Sequence, residues 1–414
     1  MTASAAKSRG RWKALTLISV AQIGAMSTWF SAAAVAPSLS QDWSLSPAQV
    51  ALLTVSVQLG FVAGGLISAV TGLSDIVSTR LVFVVSAMAA ALLNVLLVMV
   101  DGSLPIAVAL RFGLGACLAG VYPVGMKLMV GWFREGRGLA IGALIGALTL
   151  GSALPHAIAG VGLSEELPWR SVIIATSLGA LFSAAVVAAF VRSGPFEAPT
   201  ARFDLNWALR SLRSPSLRLV NLGYLGHMWE LYAMWTWVPV FLLASFRAAN
   251  EGPSSTIGQS ASLAAALVVG LGAFGCVMAG ILADRIGRTT TTIVAMATSG
   301  TSAVLTGLLF GRSPMLVVTV AVIWGISVIA DSAQFSAAAS ELANPERVGS
   351  ALALQTALGF LLTAVSIQLL PIAQSLIGWF GAFTALAVGP ALGVIAMFRL
   401  RRRPEATQLA GGRR

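Results

Sequence analysis

The chain alternates long apolar runs with short polar breaks, and the runs share one size. They fall near 14–39, 48–70, 81–100, 104–126, 138–161 and 170–191, then near 218–243, 258–282, 290–311, 314–338, 349–372 and 379–400. About twenty apolar residues in a helix cross the ~30 Å hydrocarbon core of a bilayer, so each run predicts one transmembrane helix. The pattern predicts an all-α membrane protein of twelve transmembrane helices in two pseudo-symmetric six-helix bundles, residues 1–191 and 218–400. Between them lies the longest polar stretch, 192–217, with Arg192, Arg202, Arg210 and Arg213 among Pro, Glu, Asp and Ser. It predicts a partly helical cytoplasmic linker, and 401–414 a short cytoplasmic tail. The first run follows a basic start, Lys7, Arg9, Arg11 and Lys13, but is too long for a signal h-region and reads as the first helix.

Composition agrees. Of 414 residues, 57% are hydrophobic and 10% charged, where a soluble domain carries roughly 25% charged residues. The net charge of +11 could suggest nucleic acid, but the basic residues lie between the apolar runs, which makes them a topology signal. With the amino terminus inside, one face receives the basic start, Arg80, Arg134, Arg137, the linker, Arg285, Arg288, Arg347 and Arg401–Arg403. The other keeps Arg170, Arg247 and Arg312 beside Asp42, Asp101, Glu165, Glu166 and Glu251. By the positive-inside rule both termini are cytoplasmic and the membrane is the cell's inner one. Cys117 and Cys276 sit inside apolar runs, which argues against a disulfide framework.

The stretch Gly280-Ile281-Leu282-Ala283-Asp284-Arg285-Ile286-Gly287-Arg288 resembles the loop signature of the major facilitator superfamily, which joins helices 2 and 3 and recurs between helices 8 and 9. The first copy is eroded: Thr71, Ile76 and Ser78 stand where its Gly, Arg and second Gly belong, and Leu73, Asp75 and Arg80 remain. Asp75 and Asp284 lie about half the chain apart, as a duplicated unit requires. Chemically, glycines permit a tight reversal, and the acid can pair with neighbouring arginines or meet a helix amino terminus. The resemblance implies a conformational latch of Gly280, Asp284, Arg285, Gly287 and Arg288, with Asp75 and Arg80. Arg111-Phe112-Gly113-Leu114-Gly115 to Tyr122-Pro123 is similar to the family's helix 4 pattern, and Trp132-Phe133 with Arg137-Gly138 to its entry into helix 5. Trp169-Arg170 fits the start of helix 6. The Gly-Pro pair that drug exporters often carry late in helix 5 is missing; Gly142, Gly146 and Gly151 lead to Ala153-Leu154-Pro155.

Ionisable residues inside a span cost roughly 2.5–3.5 kcal/mol on insertion scales and mark function. The candidates are Arg111, His156, His227, Glu230 and Asp331. His227, Glu230 and Met234 share one face of predicted helix 7, and the resemblance places helices 1, 4, 7 and 10 around a central cavity. A carboxyl group beside an imidazole suits a proton relay, so Glu230, His227 and Asp331 form the expected coupling set; the alternative is a structural hydrogen bond between helices. Trp324, Ser327, Asp331 and Gln334 repeat at helical spacing, and Gln355 can join that stripe. Arg111 can bind an anionic solute or neutralise an acid from another helix. His156, after Pro155, reads as a packing histidine. Trp29, Trp229, Tyr232 and Trp235 can wall the solute, and with Arg111, Gln334 and Gln355 make up the expected substrate contacts.

These features imply a secondary transporter moving a small organic solute by alternating access, coupled to protons and directed toward uptake. The expected partners are solute, protons and lipid, with a monomeric chain, no nucleic acid, no cofactor and no resident metal. A competing reading is a proton-antiport exporter of cationic or amphipathic compounds. A third, Cu(I) transport through His227, Met228, Met234, Cys276 and Met278, is weakened because Met and Cys are ordinary packing residues in membranes. No HExxH, phosphate loop or GxSxG constellation points to an enzyme.

Overall fold

The computed structural model describes residues 3–133, 137–162, 169–196, 203–249, 254–344 and 348–413. Arg134, Glu165, Glu166, Arg202, Glu251 and Arg347 lie outside them, as do the side chains of Lys7, Arg9, Asp75 and Arg137. Among the described residues, ten helices are long and apolar enough to cross a membrane. One of them, Val348–Arg401, has 54 residues and leaves helical geometry at Gly378, with φ 68°. Unbroken it would run about 80 Å at 1.5 Å per residue, far beyond a bilayer, so the break makes two spans. A helix broken near its middle, at the chain's start, supplies the twelfth.

The helices are α1 (Ala3–Met26, continued by Ser31–Ala34 and Ala36–Trp43), α2 (Pro47–Thr71), α3 (Thr79–Met99), α4 (Leu104–Val130), α5 (Arg137–Gly162) and α6 (Trp169–Phe190). The second six are α7 (Pro215–Ala248), α8 (Ser254–Gly270 and Gly272–Ile286), α9 (Arg288–Leu308), α10 (Pro314–Leu342), α11 (348–377) and α12 (379–401). The linker contains a short helix, Leu205–Ser211, whose cap Asp204 donates its N–H to Ser350 Oγ at the start of α11 (3.0 Å).

Local chemistry sets these ends. Pro47 opens α2 behind a reciprocal cap in which Ser46 N–H donates to Gln49 Oε1 (2.8 Å) and Gln49 N–H to Ser46 Oγ (3.4 Å). Pro215 and Pro314 open α7 and α10 in the same position, where a missing N–H costs nothing. Helices α4 and α10 occupy equivalent places in the two halves, and both break at mid-span, at Ala119–Val121 and at Asp331. Side chains such as Ile67, Val70, Met99, Val161, Met315 and Leu376 are apolar and exposed, as a lipid-facing surface demands. At the face opposite the termini, Trp169 Nε1 donates to Asp42 Oδ2 (2.6 Å) and the Arg170 guanidinium lies over the Trp169 ring (4.8 Å), an amphipathic anchor at the headgroup level.

Helices α2 and α4 approach until backbones touch. A Cβ on Gly60 would stand 1.9 Å from the Phe112 carbonyl oxygen, and one on Gly115 2.1 Å from that of Val57. Small residues let membrane helices gain dispersion contact that larger ones forbid. Gly115→Leu is therefore expected to lower the melting temperature of the purified protein strongly or prevent its accumulation. Gly65→Leu, next to the seam glycine Gly64 but facing open space, should leave melting within about a degree of the parent; equal damage from both would show that the seam is not the constraint.

Candidate functional site

Two polar centres lie inside the membrane, one in each half, and they differ in how completely they are satisfied. In the N half, α1 stops at Met26 and turns through Ser27–Phe30 before resuming, which frees carbonyls in the bilayer interior. Arg111 on α4 fills them: its Nη1 donates to Thr28 O (3.1 Å), Ser31 Oγ (3.1 Å) and Asn94 Oδ1 (3.2 Å), its Nη2 to Trp29 O (2.5 Å). Asn94 on α3 passes the network to α6 through Ile173 O (3.1 Å), Thr176 Oγ1 (3.1 Å) and Ser177 Oγ (2.9 Å). One guanidinium and one amide thus tie four helices together. The expectation that Arg111 binds solute meets a physical obstacle here, since four of its donor contacts are committed to helix 1 and Asn94.

In the C half, Glu230 sits at the middle of α7, buried. Its Oε1 accepts from Trp324 Nε1 of α10 (2.8 Å) and its Oε2 from Ser299 Oγ of α9 (2.8 Å). Both donors are neutral, and no cation pairs with this carboxyl group among the described residues. One turn away, His227 Nδ1 stands 2.8 Å from Asp331 Oδ1, at the break of α10. The contact is short but poorly aligned: Oδ1 has no hydrogen-bond donor, and His227 Nε2 has no partner among the described residues. Glu230 and His227 lie one turn apart on α7, and Asp331 of α10 stands against His227.

Aromatic rings join the halves beside this centre. Trp29 of α1 meets Tyr232 of α7 (centroids 5.9 Å apart) and Phe360 of α11 (5.6 Å). Phe30 stacks on Tyr232 (6.1 Å) and meets Trp235 edge-on (5.6 Å), and Phe61 of α2 lies 4.7 Å from Phe360. The indole N–H groups of Trp29 and Trp235 are buried with no partner among the described residues, an arrangement that leaves donors for a ligand or water.

Three other expected solute contacts are turned elsewhere. Trp229 donates its Nε1 to Ala385 O of α12 (3.1 Å) and borders an apolar cavity of about 330 Å³ between α7, α11 and α12, lined also by Leu370, Ala373, Ile377 and Leu386. Gln334 accepts from Arg288 Nη1 (2.9 Å), and Gln355 donates to Asn221 Oδ1 of α7 (3.0 Å). Helical spacing alone places such residues on a stripe, but Asp331 interrupts α10, so the residues after it follow a new phase. His156 is buried in α5, its Nδ1 without a partner among the described residues.

At the side of the termini, Gly287 (φ 93°) reverses the chain between α8 and α9. Arg288 then grips Glu341 of α10 bidentately, its Nε at 2.8 and 2.9 Å and its Nη2 at 2.6 Å. Asp284 and Arg285 are exposed, so the partner of the loop arginine is Glu341, not the neighbouring acid. Gly280 faces open space, and Arg80 is half-buried in the first turn of α3. Sequence reasoning missed Glu341, Asn94, Ser299, Phe61 and Phe360. Asn94 carried a signal, an amide inside an apolar run; a serine or a phenylalanine in a membrane helix carries none.

The architecture is that of a membrane transporter rather than an enzyme: two sets of helices meeting at a midplane that holds buried ionisable groups. A family profile described as Major Facilitator Superfamily matches residues 18–367, and the chain belongs to that superfamily. It is a multi-pass membrane protein and a secondary transporter. No curated protein matches the chain. Among solved structures it is similar to a bacterial homologue of the human lysosomal transporter Spinster in an inward-facing and unoccupied conformation. The TM-score is 0.73 at 15% identity, covering 95% of this chain and 99% of the other; at that identity the likeness speaks to fold alone.

Removing the guanidinium strands helix 1 carbonyls and Asn94 together. Arg111→Ala is expected to destabilise the protein by about 3 kcal/mol, the scale for breaking a buried charged network, read as a fall in unfolding midpoint in detergent. Arg111→Lys should recover only part, because an ammonium cannot span the same fork of acceptors. Full stability in Arg111→Ala would mean that water replaces the side chain without loss.

Proposed function

We propose that the chain carries a small organic solute across the cytoplasmic membrane by alternating access, coupled to protons and in the direction of uptake. The observation that carries this reading is the group of Glu230, His227 and Asp331 at the middle of α7 and α10, buried and incompletely partnered. A buried carboxylate with no fixed cation is costly, so a proton or a charged ligand that neutralises it changes which helix arrangement is favoured. Asp331 stands at the break of α10, where such a change has mechanical leverage. Trp29, Tyr232 and Trp235, with Phe61 and Phe360, are the wall that grips the solute between the halves. The halves 1–191 and 218–400 rock about this midplane in a single chain, with both termini cytoplasmic.

One observation favours a second reading, proton-antiport export of cationic or amphipathic compounds. With Arg111 committed to helix 1, the midplane offers two carboxyl groups and an aromatic wall, chemistry that suits a cation.

Purified protein in vesicles loaded with a pH-sensitive dye, challenged with organic acids, sugars and cationic drugs, tests both. One solute class is expected to drive proton movement, its sign separating symport from antiport. Glu230→Gln or Asp331→Asn should reduce that movement roughly tenfold or more while exchange of solute between equal pools persists, since exchange needs no net proton transfer. Solute flux that leaves internal pH unchanged in the parent would falsify the coupling.

A further inference from the structure

The last residues of the chain are folded onto the C half. Pro404–Gly412 form a 3-10 segment in which Ala406 and Leu409 are fully buried. Ala410 N–H donates to Glu341 Oε2 (3.1 Å), and Arg413 donates to the Asp284 carbonyl. Just upstream, Arg401 meets the Thr290 hydroxyl of α9, and Arg403 Nε donates to Ser216 Oγ in the first turn of α7 (3.2 Å). Ala410 adopts φ 48°, a left-handed conformation that an L residue disfavours. Such a residue persists where its surroundings hold it, and here a buried leucine precedes it and a carboxylate takes its N–H.

The anchors fall on the separately jointed part of the C half. Because α10 breaks at Asp331, Ser332–Leu342 is its own segment, and Glu341 lies at its far end. One carboxylate is shared by Arg288 of α9 and Ala410 of the tail. The tail region therefore fastens that segment to the start of α7, the start of α9 and the α8–α9 loop. Along the α5–α8 seam the halves loosen toward this side: a Cβ on Gly160 would stand 2.6 Å from Leu263, one on Gly146 3.5 Å from Ala273 and one on Gly142 3.8 Å from Cys276, while one on Gly280 of α8 or Gly65 of α2 would meet nothing. Toward the opposite side they touch, with Gly160 of α5 against Leu263 of α8 and Phe30 against Trp235.

We propose that the carboxy-terminal tail is a doorstop: docked, it holds the C half in the arrangement that leaves the side of the termini open. Closing that side swings Ser332–Leu342 about Asp331 toward the N half, which moves Glu341 away from Ser216 and the α8–α9 loop. The tail cannot follow all three anchors at once. A bound segment biases an equilibrium only by gripping one state more tightly, and the hinge supplies that difference. The proposal rests on alternating access and not on proton coupling or the nature of the cargo.

Spin labels on Gly65→Cys and Gly280→Cys, with Cys117 and Cys276 replaced by Ser, read the opening directly in lipid nanodiscs. Deleting residues 404–414 is expected to raise the ratio of short to long distances about threefold or more. Leu409→Asp, with chain length kept, should do the same, and a synthetic peptide of residues 402–414 should reverse the effect of the deletion. Distance distributions unchanged in both variants, or shifted to longer distances, overturn the proposal. Since no solute flux is read, that failure leaves the transport reading standing.

Discussion

The constraint on which the rest of this structure depends is that a polar atom freed inside lipid must find a partner in the protein. Helix 1 breaks at mid-membrane and spills carbonyls where water is scarce. The Arg111 guanidinium, with its planar fan of donors, answers that break, and Asn94 answers Arg111. The positions of Trp29 and Phe30 follow, because the turn that carries them is the turn that Arg111 holds. The aromatic meeting of the two halves thus rests on a charge bound to the backbone of helix 1.

The halves spend their polar groups differently. In the N half the Arg111 Nη groups and the Asn94 amide have partners on four helices, with Arg111 Nε left without one among the described residues, which makes the hub a stiff frame. In the C half Glu230 leans on two neutral donors, and Asp331 and His227 face each other without good alignment. A partly satisfied network is a poor brace, because low dielectric makes each unpaired polar atom costly. The break at Asp331 puts these groups at a joint in α10.

Spans and bundles were legible in the sequence because bilayer thickness imposes one length on every apolar run. Glu230 and His227 were legible for a related reason: an ionisable residue in such a run is rare enough to stand out. Arg111 stood out equally, yet its role was hidden, because the break in helix 1 leaves no mark in the hydropathy of 14–39. The partners of Gln334 and Gln355, Arg288 of α9 and Asn221 of α7, were hidden, because they lie far off in the chain and the break at Asp331 resets the phase of α10. Glu341 went unnoticed, since its partner Arg288 lies about fifty residues back in the chain. Local periodicity finds faces; it does not find which neighbour a face meets.

The hairpin between α11 and α12 carries one more consequence. Its tip at Gly378 has no polar loop: Leu376 and Ile377 are among the most exposed apolar side chains of the protein, beside the cavity that Trp229 borders. At that corner Gln374 and Ser375 are the polar side chains within reach of headgroups, so the apolar tip beside them favours lipid that thins or tilts to cover it. Acyl-chain length then becomes a mechanical load on α11 and α12, and through Phe360 on the junction between the halves. The thickness of the surrounding membrane is, in that sense, an input to the machine.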